Sequence, residues 1–140
     1  MFGACGLIGN TLMSRWIDRY GPSRSVVVTL ALMAVSLLLW PLGTGVVTMA
    51  LILVPWGLGC FSGNSGQQAR LGIAAPAFAS ALMALNSSAI YLGQAAGASS
   101  GGWLIANGGY GPLHWLGLAW MIAAIGTSVW AARRLPMATA

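Results

Sequence analysis

Apolar residues in this chain come in long runs that do not alternate with polar residues. Four runs are long enough, or nearly so, to cross a membrane's hydrocarbon core, which takes about 20 helical residues. They cover residues 25–43, 46–63, 77–106 and 113–132. A strand of a membrane barrel would instead alternate over about 10 positions. Because lipid offers no partner for a free backbone N–H or C=O, the four runs are predicted to be helices.

The segments outside these runs complete the predicted organisation. Residues 1–13 are apolar but too short to span, so the chain is expected to begin partway through a spanning helix. Residues 14–24 are expected to form a cytoplasmic loop, and residues 133–140 a cytoplasmic tail. Pro41 is expected to help end its helix, whereas Pro55 lies mid-run and predicts a kink.

The composition is consistent with lipid as the surrounding medium. Hydrophobic residues make up 58% of the chain and charged residues only 5%, against about 25% charged in a soluble domain. The predicted fold class is therefore all-α, a polytopic membrane protein with four full transmembrane helices and a partial N-terminal one. The charge of +5 comes from six arginines against Asp18, without a lysine or a basic stripe, so no nucleic-acid partner is expected. Cys5 and Cys60 lie in apolar stretches, which favours buried small side chains over a disulfide.

The arginines fall only in alternate gaps between the runs. Basic residues accumulate on the cytoplasmic side of membrane proteins, so these gaps and the C-terminus are expected to be cytoplasmic. The expected location is a plasma membrane, in bacteria the inner membrane. Aromatic residues cluster toward the opposite boundary, as interfacial aromatics do. The residues concerned are Arg15, Arg19, Arg24, Arg70, Arg133 and Arg134 on one side, and Trp40, Trp103, Tyr110 and Trp115 on the other.

Polar side chains at membrane depth either line a pathway or bond another helix. Asn64, Asn86, Tyr91 and Gln94 are candidates for a substrate pathway, and both interpretations stay open for each of them. The predicted helix 77–106 also carries a row of small residues with a spacing of four. Such a row predicts a flat face for close helix packing. This row consists of Ala89, Gly93, Gly97 and Gly101.

No catalytic, metal or cofactor site is expected from the sequence. Gly63-Asn64-Ser65-Gly66 matches a pattern of membrane serine proteases, but His114 is the only histidine available as a base. The predicted topology puts Ser65 and His114 about 25–30 Å apart, beyond the hydrogen-bond reach that a nucleophile and its base need. One acid in the whole chain also excludes a pair of catalytic carboxylates.

The segment 14–24 resembles the G-x-L-A-D-R-x-G-R-R signature of the major facilitator superfamily, in the copy between helices eight and nine. Asp18, Arg19, Gly21 and Arg24 match it, while Ser14 replaces the first glycine and Pro22-Ser23 interrupts the basic pair. Residues 67–76 and 85–97 are similar to the helix ten–eleven region of drug:proton antiporter-like members. The resemblance covers the whole chain and implies the end of helix eight through helix twelve, part of a six-helix C-terminal bundle.

This resemblance implies a carrier that moves a small-molecule substrate by alternating access, in the direction of efflux. It implies a gating role for the signature residues, adds Trp56 as a possible stacking surface on the cavity wall, and makes the missing N-terminal helices the partner of this chain. Because no carboxylate lies in the four spans, the chain alone is expected to be inactive. The alternatives are a small four-helix exporter acting as an oligomer, which usually needs a membrane glutamate, and a non-transporting membrane scaffold.

Overall fold

The computed structural model describes residues 2–134, and within them every regular element is helical. This confirms the all-α class. The side chain of Cys5 and the tail from residue 135 onward lie outside the described residues, so the predictions for them are not addressed. Two short 3-10 helices, Trp40–Leu42 and Pro76–Phe78, adjoin the long helices. The long helices are α1 (Phe2–Tyr20), α2 (Pro22–Leu39), α3 (Val46–Ala74), α4 (Ala79–Gly108) and α5 (Leu113–Arg134).

The expected loop at 14–24 is almost entirely helical. α1 continues to Tyr20 and α2 begins at Pro22, so Gly21 alone links them. The prediction overestimated the loop because polar side chains interrupt the apolar run, although nothing in 14–20 disfavours a helix. Gly21 has φ +82° and ψ 156°, a region that is essentially restricted to glycine. The chain therefore turns at this residue, and Pro22 then occupies the first turn of α2, where its missing N–H costs nothing.

α3 is longer than the predicted run 46–63 and continues through eleven more residues to Ala74. The helix passes through Pro55 without a break in its assignment. It begins after Gly45, whose backbone N–H donates to Thr48 Oγ1 at 2.9 Å and so satisfies one of the free donors at the helix start. Its end coincides with Pro76, which disfavours a helical conformation in the residue before it. The polar residues after 63 therefore project from a helix.

Three helical segments among the described residues are long and apolar enough to cross a membrane: Pro22–Leu42, Val46–Ala74 and Leu113–Arg134. α4 covers most of the predicted run 77–106 and, at 30 residues, is long enough to span. It falls outside this group because serine, asparagine, glutamine and glycine lower its hydropathy. Its membrane crossing therefore stays a prediction.

α3 packs closely against α1 on one side and α2 on the other, and glycines allow both approaches. A Cβ on Gly9 of α1 would collide with the backbone of Leu58 on α3. A Cβ on Gly59 would lie 2.6 Å from the carbonyl oxygen of Thr29 on α2. Helices in membranes associate by this kind of close backbone contact at small residues.

The side chains most completely buried in this seam are small hydroxyls rather than large apolar groups. Ser25, Thr29, Ser36 and Ser62 are each 0–1% exposed. Ser25 donates to the carbonyl of Gly21, just before α2, at 2.9 Å, and Thr29 donates to the carbonyl of Val26 within α2 at 2.8 Å. Such bonds satisfy the hydroxyl without occupying space between helices, so the two backbones can lie close together. Many large apolar side chains face outward instead, for example Val46 and Leu92.

The second contact region joins α2 to α5. Ala34 and Leu37 of α2 meet Leu118 of α5 in a buried apolar cluster, against which Trp56 of α3 packs. α4 stands apart from this packed group, since none of its residues is buried. The interhelical contacts bring the C-terminal ends of α1, α3 and α5 to the same side of the bundle as the N-terminal end of α2. All six arginines lie toward this side, which we call the arginine end.

Candidate functional site

A cavity of about 800 Å³ separates α4 from the packed helices α2, α3 and α5. This volume lies in the range of small-molecule sites, about 300–1,000 Å³. Its α2 wall is mostly apolar and includes Leu30 and Met33, whereas the other three walls carry polar groups. The polar residues of these three walls are Asn64, Gln67 and Arg70 of α3, Asn86 and Gln94 of α4, and Thr127 and Ser128 of α5.

Arg70 is the only charged residue in the described lining of the cavity. Its Nη1 donates to Ser128 Oγ at 3.0 Å, and its Nη2 donates to the Ser128 carbonyl oxygen at 3.4 Å. The guanidinium is thereby held against α5, half-buried, with other N–H groups left over. Asp18, the one acid of the chain, is exposed at the α1–α2 turn, and no ion pair involves Arg70 among residues 2–134.

The four side-chain amides of the cavity have unused hydrogen-bonding capacity. Asn64, Gln67, Asn86 and Gln94 make no side-chain hydrogen bond to another described residue. Each amide offers two donors and one acceptor. Because Asn64 and Gln67 come from α3 while Asn86 and Gln94 come from α4, a ligand between the two helices could bond to both walls.

The structure brings three of the five predicted pathway residues together and leaves two elsewhere. Asn64, Asn86 and Gln94 line the cavity. Trp56 does not: it packs against the apolar cluster between α2 and α5, so its indole is a core contact. Tyr91 is 69% exposed and lies outside the lining, because it is one residue from Ile90 and therefore points to a different side of α4.

The residues of the loop signature lie at the α1–α2 turn, at the arginine end. Asp18, Arg19 and Arg24 are exposed, and no ion pair joins Asp18 to an arginine within the part of the chain that the structure describes. The guanidinium of Arg19 lies over the ring of Tyr20, at 5.6 Å from its centroid. Only Gly21 has a role fixed by local geometry, as the turn residue. The proposed gating role of the others stays a prediction.

The small-residue face of α4 has no helix against it in the described chain. Nothing lies within 4 Å of a Cβ built on Gly93 or Gly97, and Gly101 meets only the side chain of Leu113, at 3.7 Å. Ala89 is exposed as well. Packing at this face therefore stays a prediction about a neighbour outside residues 2–134.

Sequence reasoning missed several lining residues: Cys60, Thr127, Ser128 and the cavity position of Arg70. Arg70 was taken only as a topology charge in the gap between two apolar runs, because the predicted run ended at residue 63. A helical reading of 64–74 would have aligned Cys60, Asn64, Gln67 and Leu71 on one face, at spacings of three and four. No comparable signal marks Thr127 and Ser128, which become cavity residues only through the packing of α5.

The described residues show no arrangement for a protease or metal chemistry. Ser65 Oγ donates to Asn10 Oδ1 at 2.8 Å and so bridges α3 to α1. His114 lies in the first turn of α5, with its ring beside Trp115. No group of three or more metal-ligating side chains occurs within residues 2–134.

Together these features define a multi-pass, all-α membrane protein with a polar cavity. No protein-family model and no solved structure matches the chain. The chain is similar to YbcL of Bacillus subtilis (strain 168), described as an uncharacterised MFS-type transporter, with 29% identity over 126 residues. The alignment covers 89% of this chain and 32% of YbcL, so the chain spans about a third of the length of this relative.

Proposed function

We propose that this chain is the C-terminal part of a solute carrier of the major facilitator type, which moves a small solute across a membrane. The similarity to an MFS-type transporter along 89% of the chain carries the proposal. The cavity between α4 and the packed helices supports it, because it offers both polar and apolar walls to a small solute. Binding at the middle of a helical bundle is the arrangement that alternating access requires.

Export is the direction we propose, on the similarity of residues 67–76 and 85–97 to drug:proton antiporter-like carriers. Coupling to protons needs a titratable group at membrane depth. The chain's single carboxylate, Asp18, lies exposed at a helix end, so any coupling acid belongs to helices that this chain does not contain. Those helices are also the proposed neighbours of the exposed small-residue face on α4.

The test is to compare the chain alone with the chain assembled with the remainder of YbcL. We expect proteoliposomes containing only the 140 residues to show no flux of ethidium or carboxyfluorescein. We expect the tagged chain to co-purify with a co-expressed YbcL segment that lacks the aligned region. Dye flux by the chain alone would overturn the proposal in favour of a small oligomeric exporter. Absence of co-purification would count against it as well.

A second prediction concerns topology, with the arginine end proposed to be cytoplasmic and the membrane to be the bacterial inner membrane. Alkaline phosphatase fused after Thr44 or after Tyr110 should be active, because both turns lie at the other end of the helices. Green fluorescent protein fused after Ala75 or Arg134 should fluoresce. The Tyr110 fusion tests α4 itself: if α4 did not cross, the arginines of α3 and α5 would lie on opposite sides. Inactive phosphatase at that position would refute the topology.

A further inference from the structure

We propose that the cavity binds the anionic group of its ligand, a carboxylate or a phosphate, through Arg70. The proposal rests on the proposed function only in taking this ligand to be the transported solute. The binding site itself depends only on the charge, the hydrogen bonds and the lining of the cavity. Its experiment measures binding and accessibility, so that it can fail or succeed independently of transport.

The guanidinium of Arg70 is a cation without a counter-charge in the described lining of the cavity. Arg70 is half-buried, and a charge out of water is costly unless it is paired. Its described partner, Ser128, is neutral and supplies a hydroxyl and a carbonyl oxygen. A second positive charge would be repelled here, whereas an anionic oxygen would accept the remaining guanidinium N–H groups in short, charge-assisted bonds.

The geometry of the guanidinium supports an oxyanion in particular. Two of its nitrogens are already fixed against Ser128, which limits the rotation of the planar group. An arginine held in this way loses less side-chain freedom when it binds a planar or tetrahedral oxyanion. The free amides of Asn64 and Asn86 and the apolar wall at Leu30 and Met33 are then left for the remainder of a small molecule.

Two sources could supply such an oxyanion: a soluble solute or the phosphate of an anionic lipid headgroup. Arg70 lies four residues before the end of α3, toward the arginine end, so a headgroup could approach it from that side. The amide groups deeper in the cavity favour a solute, because a lipid phosphate at Arg70 would leave Gln94 without a partner. We therefore infer a solute, and the experiment separates the two sources.

Cys60 provides a native reporter, because its exposed thiol lines the same cavity as Arg70. Ten residues of helix separate the two positions, about 15 Å. In a Cys5→Ser background, the chain in phosphatidylcholine nanodiscs is labelled with a sulfonate-bearing or a trimethylammonium-bearing methanethiosulfonate. Arg70 should favour the sulfonate, so Arg70→Gln should lower the ratio of the two rates by roughly tenfold.

The controls separate this local effect from net charge and from folding. Arg24→Gln removes the same charge from an exposed arginine outside the cavity and should leave the ratio unchanged. Arg70→Lys keeps the charge and should keep most of the preference. In the unmutated arginine background, benzoate should slow labelling of Cys60 by the neutral reagent N-ethylmaleimide, whereas benzamide, which is similar in shape but uncharged, should not.

The outcomes are decisive for the proposal. Equal rate ratios in Arg70→Gln and Arg24→Gln, or equal effects of benzoate and benzamide, would overturn it, as would a thiol that labels only after denaturation. Adding phosphatidylglycerol to the nanodiscs then identifies the source. If the preference for the sulfonate reagent and the protection by benzoate both persist with phosphatidylglycerol present, the site binds a solute. If both disappear as phosphatidylglycerol is added, the oxyanion is a headgroup and the inference of a solute is wrong.

Discussion

Replacing Gly59 with alanine is expected to lower the free energy of unfolding by about 2 kcal/mol, within the range for overpacked positions. The added Cβ would lie 2.6 Å from the Thr29 carbonyl oxygen and 3.1 Å from Cγ of Met33. The methionine side chain can rotate away, but the carbonyl belongs to the backbone of α2. The two helices would therefore have to separate along a seam whose hydroxyls, including that of Ser62, are buried.

The control is Gly126→Ala on α5, where nothing lies within 4 Å of the added carbon. Alanine is the better helix former, so this variant should be neutral or stabilised by up to about 1 kcal/mol. Denaturant titration in detergent micelles, followed by tryptophan fluorescence, measures both variants. Trp56 reports on the α2–α3–α5 contact, because it packs there. Similar free energies for the two variants would show that α2 and α3 do not pack as closely as described.

The helices themselves could be predicted from the sequence, because a long apolar run surrounded by lipid has few other ways to satisfy its backbone. Their ends were less predictable. Residues 14–20 were assigned to a loop and residues 64–74 to a gap between apolar runs, yet both segments are helical, because a polar segment can continue a helix where no proline intervenes. The turn at Gly21 and the proline at 76 mark the observed boundaries better than hydropathy does.

The packing partners could not be predicted from the spacing of small residues. The regular row on α4, from Ala89 to Gly101, was the most visible pattern, but the described chain places no helix against it. The glycines that come closest to the backbone of a neighbouring helix are Gly9 on α1 and Gly59 on α3. A small residue permits close approach, but whether a helix is present at that face depends on the arrangement of the whole bundle.

The cavity shows the same division between local pattern and tertiary arrangement. Asn86 and Gln94 were selected because they are amides at membrane depth, and they line the cavity with Asn64. Trp56 was selected by resemblance alone, and it packs instead against the apolar cluster between α2 and α5. Arg70 was expected on the same membrane side as the other arginines, but its contact with Ser128 on α5 joins residues 58 positions apart, which no local pattern encodes.

Among substitutions in the loop signature, Gly21→Ala is expected to destabilise the protein most. It should lower the free energy of unfolding by about 1–3 kcal/mol. The residue has φ +82° and ψ 156°, where an alanine Cβ is strained even though no neighbouring atom lies within 4 Å. The turn cannot easily relax, because Gly21 is the single residue between the end of α1 and the start of α2. Its N–H donates to the Ile17 carbonyl at 2.9 Å, and its carbonyl accepts from the Ser25 hydroxyl at 2.9 Å.

Gly45→Ala is the matched control, since Gly45 also precedes a helix. Its φ of −152° is extended backbone that any residue adopts, and an added Cβ would meet only Thr48 Oγ1, at 3.8 Å. We expect Gly45→Ala to be nearly neutral in the same denaturant titration, whereas Gly21→Ala unfolds at a lower denaturant concentration. If both glycines tolerate alanine equally, α1 and α2 are not joined by a single residue, and the longer loop expected from the sequence is correct. If only Gly21 is sensitive, the glycine of the signature is required by the geometry of the turn, independently of any gating by Asp18 or Arg24.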